Sequence, residues 1–246
     1  MTEQNFDDLI ISGSGRASGG KFKKVSISGS GEITSDVECE KLSISGSGHL
    51  QGRLSASRAS ISGSGKIDGD VDCKDEFKIS GWANLDGNLK CGELKVSGDS
   101  HLGGSVDAEE VYISGSTKIN GDCNAEKFFT SGGFNIGGLL NAGTIELQLH
   151  PWGSRVRDIG GEKISVFITP IGFIGNVFKA IFSAGHKYIL QTGTIEGDDI
   201  TLCKTKADVV RGANIKIGEG CEIGLVEYTG TYEKAADAVV REEKKI

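Results

Sequence analysis

Residues 44–48 read Ile-Ser-Gly-Ser-Gly, and the same five residues stand at 11–15, 27–31 and 61–65. With its near-copies the phrase sets a register of Ile11, Ile27, Ile44, Ile61, Ile79, Val96, Ile113 and Thr130, at spacings of 16, 17, 17, 18, 17, 17 and 17. A period of this length belongs to a solenoid, in which each repeat is one coil and neighbouring coils bury each other's apolar side chains. With the leading Ile as position 1, position 7 carries Ile33, Leu50, Ile67, Leu85, Leu102, Ile119 and Ile136. Position 11 carries Val37, Leu54, Val71, Leu89, Val106, Cys123 and Leu140. Position 16 holds Leu42, Ala59, Leu94, Val111, Phe128 and Ile145, and the 18-residue coil keeps Phe77 in step by absorbing one extra residue. Around these columns apolar and polar residues alternate with period two, which predicts short strands and excludes helices here.

Such strands cannot pair locally at this spacing, so stacking coil on coil into parallel sheets is the arrangement expected. Inward columns then form the core, with Gly of position 9 at corners. The predicted fold is all-β: a right-handed parallel β-helix of ~17 residues per coil, right-handed because parallel crossovers take that hand. In the repeated phrase the Ile is read as an inward rung, the first Gly as completing the inward alternation, and Ser-Gly as the turn to the next side.

The organisation expected is an N-terminal β-solenoid over 1–146, an irregular coil over 147–168, a helical insert over 169–187, a second solenoid of shorter coils over 188–232 and a charged, frayed tail over 233–246. The second solenoid rests on Ile195/Val210/Leu225 and Ile200/Ile215, which recur at 15 residues. The insert rests on Thr169 as cap, Pro170 at the first helical position and a stop at Gly185. Its wheel gathers Ile171, Phe173, Ile174, Val177, Phe178, Ile181 and Phe182 on one half, the signature of an amphipathic helix. About 14 residues at 1.5 Å each fall short of a ~30 Å bilayer core, which leaves an interfacial membrane anchor, a polymer contact or docking on the solenoid. Tyr112 and Phe129, outward at position 17 of adjacent coils, form a surface apolar stripe that the helix is expected to cover.

Composition narrows the function. A net charge of −7 without a basic cluster argues against nucleic acid as a partner. The opening MTEQNFDDL lacks the basic and apolar regions of a signal peptide, so a cytoplasmic location is expected, with the six Cys as thiols.

The columns, with ISGSGKIDGDV (61–71) and INGD (119–122), resemble bactofilins, bacterial cytoskeletal proteins with a polymer-forming β-helical core. The stretch IEGDDITLCKTKADVVRGANIKIGEGCEIGLVEY (195–228) is similar to the C-terminal part of longer Firmicutes-type members. The resemblance implies a right-handed triangular β-helix that polymerises end to end into nonpolar filaments without nucleotide. It also implies a scaffold for proteins of the cell envelope or wall, with peripheral contact at the inner face of the membrane. This chain departs from short-core members in lacking Pro-rich flanks and an apolar N-terminus. The end contacts expected are Phe6, Leu9 and Ile10 at one terminus and Val226 and Tyr228 at the other.

No catalytic, cofactor-binding or metal site is expected. Cys39, Cys73 and Cys91 share position 13 with alanines and read as small core filler, because no CxxC and no paired His complete a zinc shell. His49 and His101 share position 6 but stand three coils apart, roughly 14 Å at strand spacing, and His150 and His186 lack a recognisable partner. Asp68 and Asp86 stack at position 8 as a solvated acidic edge. Residues 15–21, GRASGGK, imitate a phosphate loop, but Phe22 stands where the magnesium-binding hydroxyl is needed. The alternative function is a β-helix enzyme such as a hexapeptide-type acyltransferase, which needs a stricter period of six and a catalytic His. Trp82 and Phe134, where the phrase varies, are expected near a corner as contact residues.

Overall fold

A computed structural model describes residues 6–151, 153–168 and 189–246. Among them every regular element is a β-strand, and the pairings within each compact unit are parallel. The chain divides into two such units, Met1–Cys123 and Asn124–Ile246, a boundary different from the one read at residue 146. The expected helical insert over 169–187, with its apolar face from Ile171 to Phe182, lies outside the described residues.

In the first unit one coil consists of a long strand that rounds a corner and a short strand, as in Val37–Ile44 followed by Ser47–Leu50. Three inward pairs alternate with outward residues: Val37 and Cys39, then Leu42 and Ile44, then Gly48 and Leu50, all buried. Glu40 and Lys41 stand exposed between the first two pairs, where the chain turns. Each rung repeats on the next coil, Val37 beside Leu54 and Ile44 beside Ile61. Ile61, Ile67, Phe77, Ile79 and Leu85 are wholly shielded from solvent, and each such side chain contributes on the order of 1.5–3 kcal/mol through burial. The extra residue of the 18-residue coil is absorbed at the corner, where the register shifts between Ala56 and Arg58.

Two glycine roles are the reverse of those expected. The second Gly of the phrase, not the first, points inward: Gly31, Gly48 and Gly65 are buried beneath the side chain of the leading Ile of their own coil. The first Gly stands at the corner, where a Cβ on Gly46 would collide with the carbonyl oxygen of Gly29 in the preceding coil. The serines on either side carry the ladder there, Ser45 N donating to Ile27 O and Ser47 N to Gly29 O, each at 2.8 Å. The inward column that begins with glycine becomes Ala83, Ser100 and Thr117 in later coils, and the two buried hydroxyls satisfy each other at 3.1 Å.

In the second unit longer strands run through the corners: Gly133–Gln148, Ser154–Phe167, Leu190–Leu202 and Thr205–Ile217. The segment read as an irregular coil pairs in parallel with the one before it, Ile145 beside Ile164 and Leu147 beside Val166, with a register shift between Ile136 and Leu139. Leu190 then lies beside Thr205 and Ile200 beside Ile215, the shorter repeat anticipated from the sequence, but Val226 rather than Leu225 continues the Ile195/Val210 column, because the next coil holds one residue more. The tail expected to fray forms strands Tyr232–Lys234 and Val239–Lys245, the latter paired with Glu222–Tyr228. Backbone pairing there needs no apolar side chain, and the charges find partners, as at Lys234–Glu243, 2.6 Å. Phe134, expected at the surface, is buried and packs edge-on against Phe128 at 5.9 Å. It belongs to the alternation of the long strand rather than to a turn.

Candidate functional site

The outward columns are what a stacked coil offers a partner, and their chemistry follows from register. On the face carrying position 6 of the first unit, ionic contacts pass from coil to coil. Arg16 pairs with Glu32 at 2.7 Å, His49 Nε2 meets Asp68 at 2.9 Å, and Lys66 reaches both Asp68 and Asp86 at 2.6 and 3.2 Å. Lys66, then His49, hold the Asp68 carboxyl below its usual range. The acidic pair at position 8 is thus bridged by a lysine, and His101 is met by Asn120 rather than by His49. No cluster of three metal-ligating side chains forms among the described residues.

A second column was not anticipated. At position 10, Asp36 accepts the backbone N–H of Arg53 at 2.8 Å, Asp70 that of Asn88 at 2.8 Å, Asn88 that of Ser105 at 2.9 Å and Ser105 that of Asp122 at 3.2 Å. Each side chain caps a donor of the following coil that the corner leaves out of the sheet ladder. The signal in the sequence is an Asp, Asn or Ser just after the corner glycine, a residue set that bonds nearby backbone. Asp36, Asp70 and Asn88 edge a shallow groove with Lys21, Glu38, Asp72 and Lys90.

The thiols are interior. Cys39, Cys73, Cys91, Cys123 and Cys221 are buried and unbridged, and Cys73 lies beside Cys91 in register. Burial pushes Cys39 and Cys73 up to about 11 and Cys91 and Cys123 up to about 12. At neutral pH these groups are protonated and poor nucleophiles or metal ligands.

In the second unit, register stacks Glu196, Arg211, Glu227 and Lys244 with alternating sign. Arg211 meets Glu227 at 2.8 Å and Glu196 at 3.5 Å, and Lys244 meets Glu227 at 3.4 Å. Arg211, then Lys244, lower the Glu227 carboxyl. A slip of one coil would oppose like charges, so the ladder specifies stacking order.

Among the expected contact residues, Phe6 and Ile10 are open at 38% and 64% exposure, and Leu9 is half-buried. The Leu9–Ile11 strand is paired with Val25–Ile27. Val226, expected at an end, is fully buried, because its strand is covered by Val239–Lys245. Tyr228 is half-buried and stacks on Tyr232 at 5.1 Å. Tyr112 and Phe129 are half-buried, and the Tyr112 hydroxyl donates to Glu110 at 2.6 Å. Trp82 projects from position 4 at 48% exposure, between Ser64 and Asp99.

In each unit a dry core and solvated outward columns make a parallel β-solenoid. Residues 47–141 match the model of the bactofilin family, described as polymer-forming cytoskeletal. Relatives of the chain include YhbF and YhbE of Bacillus subtilis (strain 168), both described as uncharacterized, each 37% identical over 108 residues. The match covers 44% of this chain and 42% and 43% of those proteins, so the chain spans less than half of their length. No solved structure matches it significantly. No helix among the described residues is long and apolar enough to cross a membrane.

Proposed function

We propose that this protein is a structural element, not an enzyme, which polymerises through the ends of its solenoid without nucleotide. The resulting filament scaffolds envelope-associated proteins from the cytoplasmic side. The observation that carries this reading is the polymer-forming family segment set in a stack whose first described strand, Leu9–Ile11, leaves Ile10 exposed. An unpaired strand edge beside open apolar side chains is a template for another edge. Phe6, Leu9 and Ile10 are the contact residues of the first unit in this reading, and Tyr228 with the Val239–Lys245 strand those of the second. Right-handed, triangular winding is part of the same reading, supported by the strong bias of parallel crossovers and by three inward pairs per coil.

For the segment from Ile171 to Phe182 we propose an interfacial role at a membrane or at another subunit, supported by its apolar half-wheel. Electron microscopy of the purified protein without nucleotide tests the polymer, and the same experiment on Ile10→Asp tests the end. Filaments that disappear in the variant are expected; a wild-type protein that stays monomeric in sedimentation across concentration and salt refutes the reading. Removal of 170–185 should leave filaments intact while abolishing flotation with lipid vesicles.

A further inference from the structure

The face of the first unit that carries positions 15, 17 and 2 is ordered in an unusual way. Position 15 stacks Lys24, Lys41, Arg58, Glu76, Glu93 and Glu110 in register, three cations followed by three carboxylates. Lys24, Lys41 and Arg58 are exposed, and none of them makes an ion pair with a described residue. Glu76 and Glu93 share Lys95 at 3.2 and 2.7 Å. Like charges on coils ~4.8 Å apart repel, and within one copy only the Arg58–Glu76 step sets opposite charges side by side in this column. The ladder of the second unit, with alternating signs, shows the order that intramolecular stacking favours. Position 17 changes at the same coil, from Ser26, Ser43 and Ser60 to Lys78, Lys95 and Tyr112, small side chains followed by large. Position 2 is serine in every coil from Ser28 to Ser114, which keeps that margin low.

We propose that this face binds the same face of a second copy, with the two stacks antiparallel about a two-fold axis that runs along the strands between Arg58 and Glu76. That operation sets Arg58 against Glu76, Lys41 against Glu93 and Lys24 against Glu110 of the other copy, each pair twice. It also sets Ser60 opposite Lys78, Ser43 opposite Lys95 and Ser26 opposite Tyr112, so small meets large along the whole column. An axis along the stack would instead bring position 15 onto the serines of position 2 and pair no charges. Six coils by three outward residues cover on the order of 400 Å² per copy, about half the usual share of a stable interface. Contact between single copies is therefore weak, and it grows by multivalency where copies are joined in line. The proposal does not depend on end-to-end polymerisation.

The test is zero-length carbodiimide coupling of an equal mixture of ¹⁴N- and ¹⁵N-labelled protein, with cross-linked peptides read by mass spectrometry. Within one chain Lys41 and Glu93 are three coils apart, roughly 14 Å, too far for a direct amide. Isotopically mixed Lys41–Glu93 and Lys24–Glu110 links are expected, with yields that fall severalfold between low and high salt. In Lys41→Glu and in Glu93→Lys the Lys24–Glu110 link should drop severalfold, and in the double variant, which exchanges the two charges, it should return. Absence of mixed links, or a double variant as weak as the singles, overturns the proposal.

Discussion

Alanine substitutions at Gly46 and Gly48, two residues apart in one copy of the repeated phrase, should have opposite fates. At Gly48 the new Cβ would stand 2.9 Å from Ile44 Cδ1, the far end of a side chain that can rotate, and 3.2 Å from Ile27 Cδ1. The same column carries Ala83 with no loss of register between Ser64 and Asp99. Overpacking by one methyl, offset by the smaller entropy of an Ala chain when unfolded, leaves Gly48→Ala within about 1 kcal/mol of the parent. At Gly46 the Cβ collides with Gly29 O, a backbone atom that cannot move alone. Relief requires the two coils to separate, which sacrifices the bonds from Ser45 N and Gly46 N to Ile27 O and from Ser47 N to Gly29 O. At roughly 1 kcal/mol per net hydrogen bond, Gly46→Ala should cost about 2–3 kcal/mol. Denaturant melts followed by circular dichroism give the difference, and amide exchange in peptides spanning 27–31 and 44–48 gives its location. Equal stabilities for the two variants, or faster exchange spread evenly over the chain, would refute the assignment of the first Gly to the corner and the second to the core.

Other outcomes follow from the columns. Lys66 and His49 hold Asp68 low, so its stabilising contribution is complete above the unfolded carboxylate value near 3.9 and is lost as pH falls through the lower folded value; Asp68→Asn should be less stable than the parent in urea at pH 7, by a margin that shrinks as the pH is lowered through the acid range. Iodoacetamide at pH 8 should alkylate Cys203, the half-exposed thiol, well before Cys73, Cys91 and Cys123, which should react only on unfolding; early labelling of Cys91 would contradict its burial. Arg211→Glu would stack three carboxylates with Glu196 and Glu227, and its melting temperature should fall at low salt and recover partly at 1 M NaCl, where charges are screened.

The core was legible because stacking converts one sequence offset into one spatial column. Ile, Leu and Val at positions 1, 7, 11 and 16 could be read as inward without any knowledge of the coil's shape. The inward glycine at position 5 was missed, since a residue without a side chain has no hydropathy to register. Its column of Gly, Ala, Ser and Thr, never charged, was the available signal. Phe134 was misplaced for the same reason: the phrase TSGGF has the letters of a turn, whereas its neighbours continue an alternating strand through Leu147. The tail after Tyr232 looked unfoldable by composition, but it forms strands because backbone donors and acceptors of a neighbouring coil accept any side chain that leaves them free.

The sequence by itself determined the solenoid, its coil length and most of its apolar rungs, because these depend on periodicity alone. Tertiary structure alone decided which residue rounds each corner, which Asp or Asn caps the next coil's donor, and which outward charges compensate one another and which do not. Those outcomes depend on phase: a shift of one residue at a corner, such as the one between Cys73 and Glu76, changes which side chains face solvent together without altering the period.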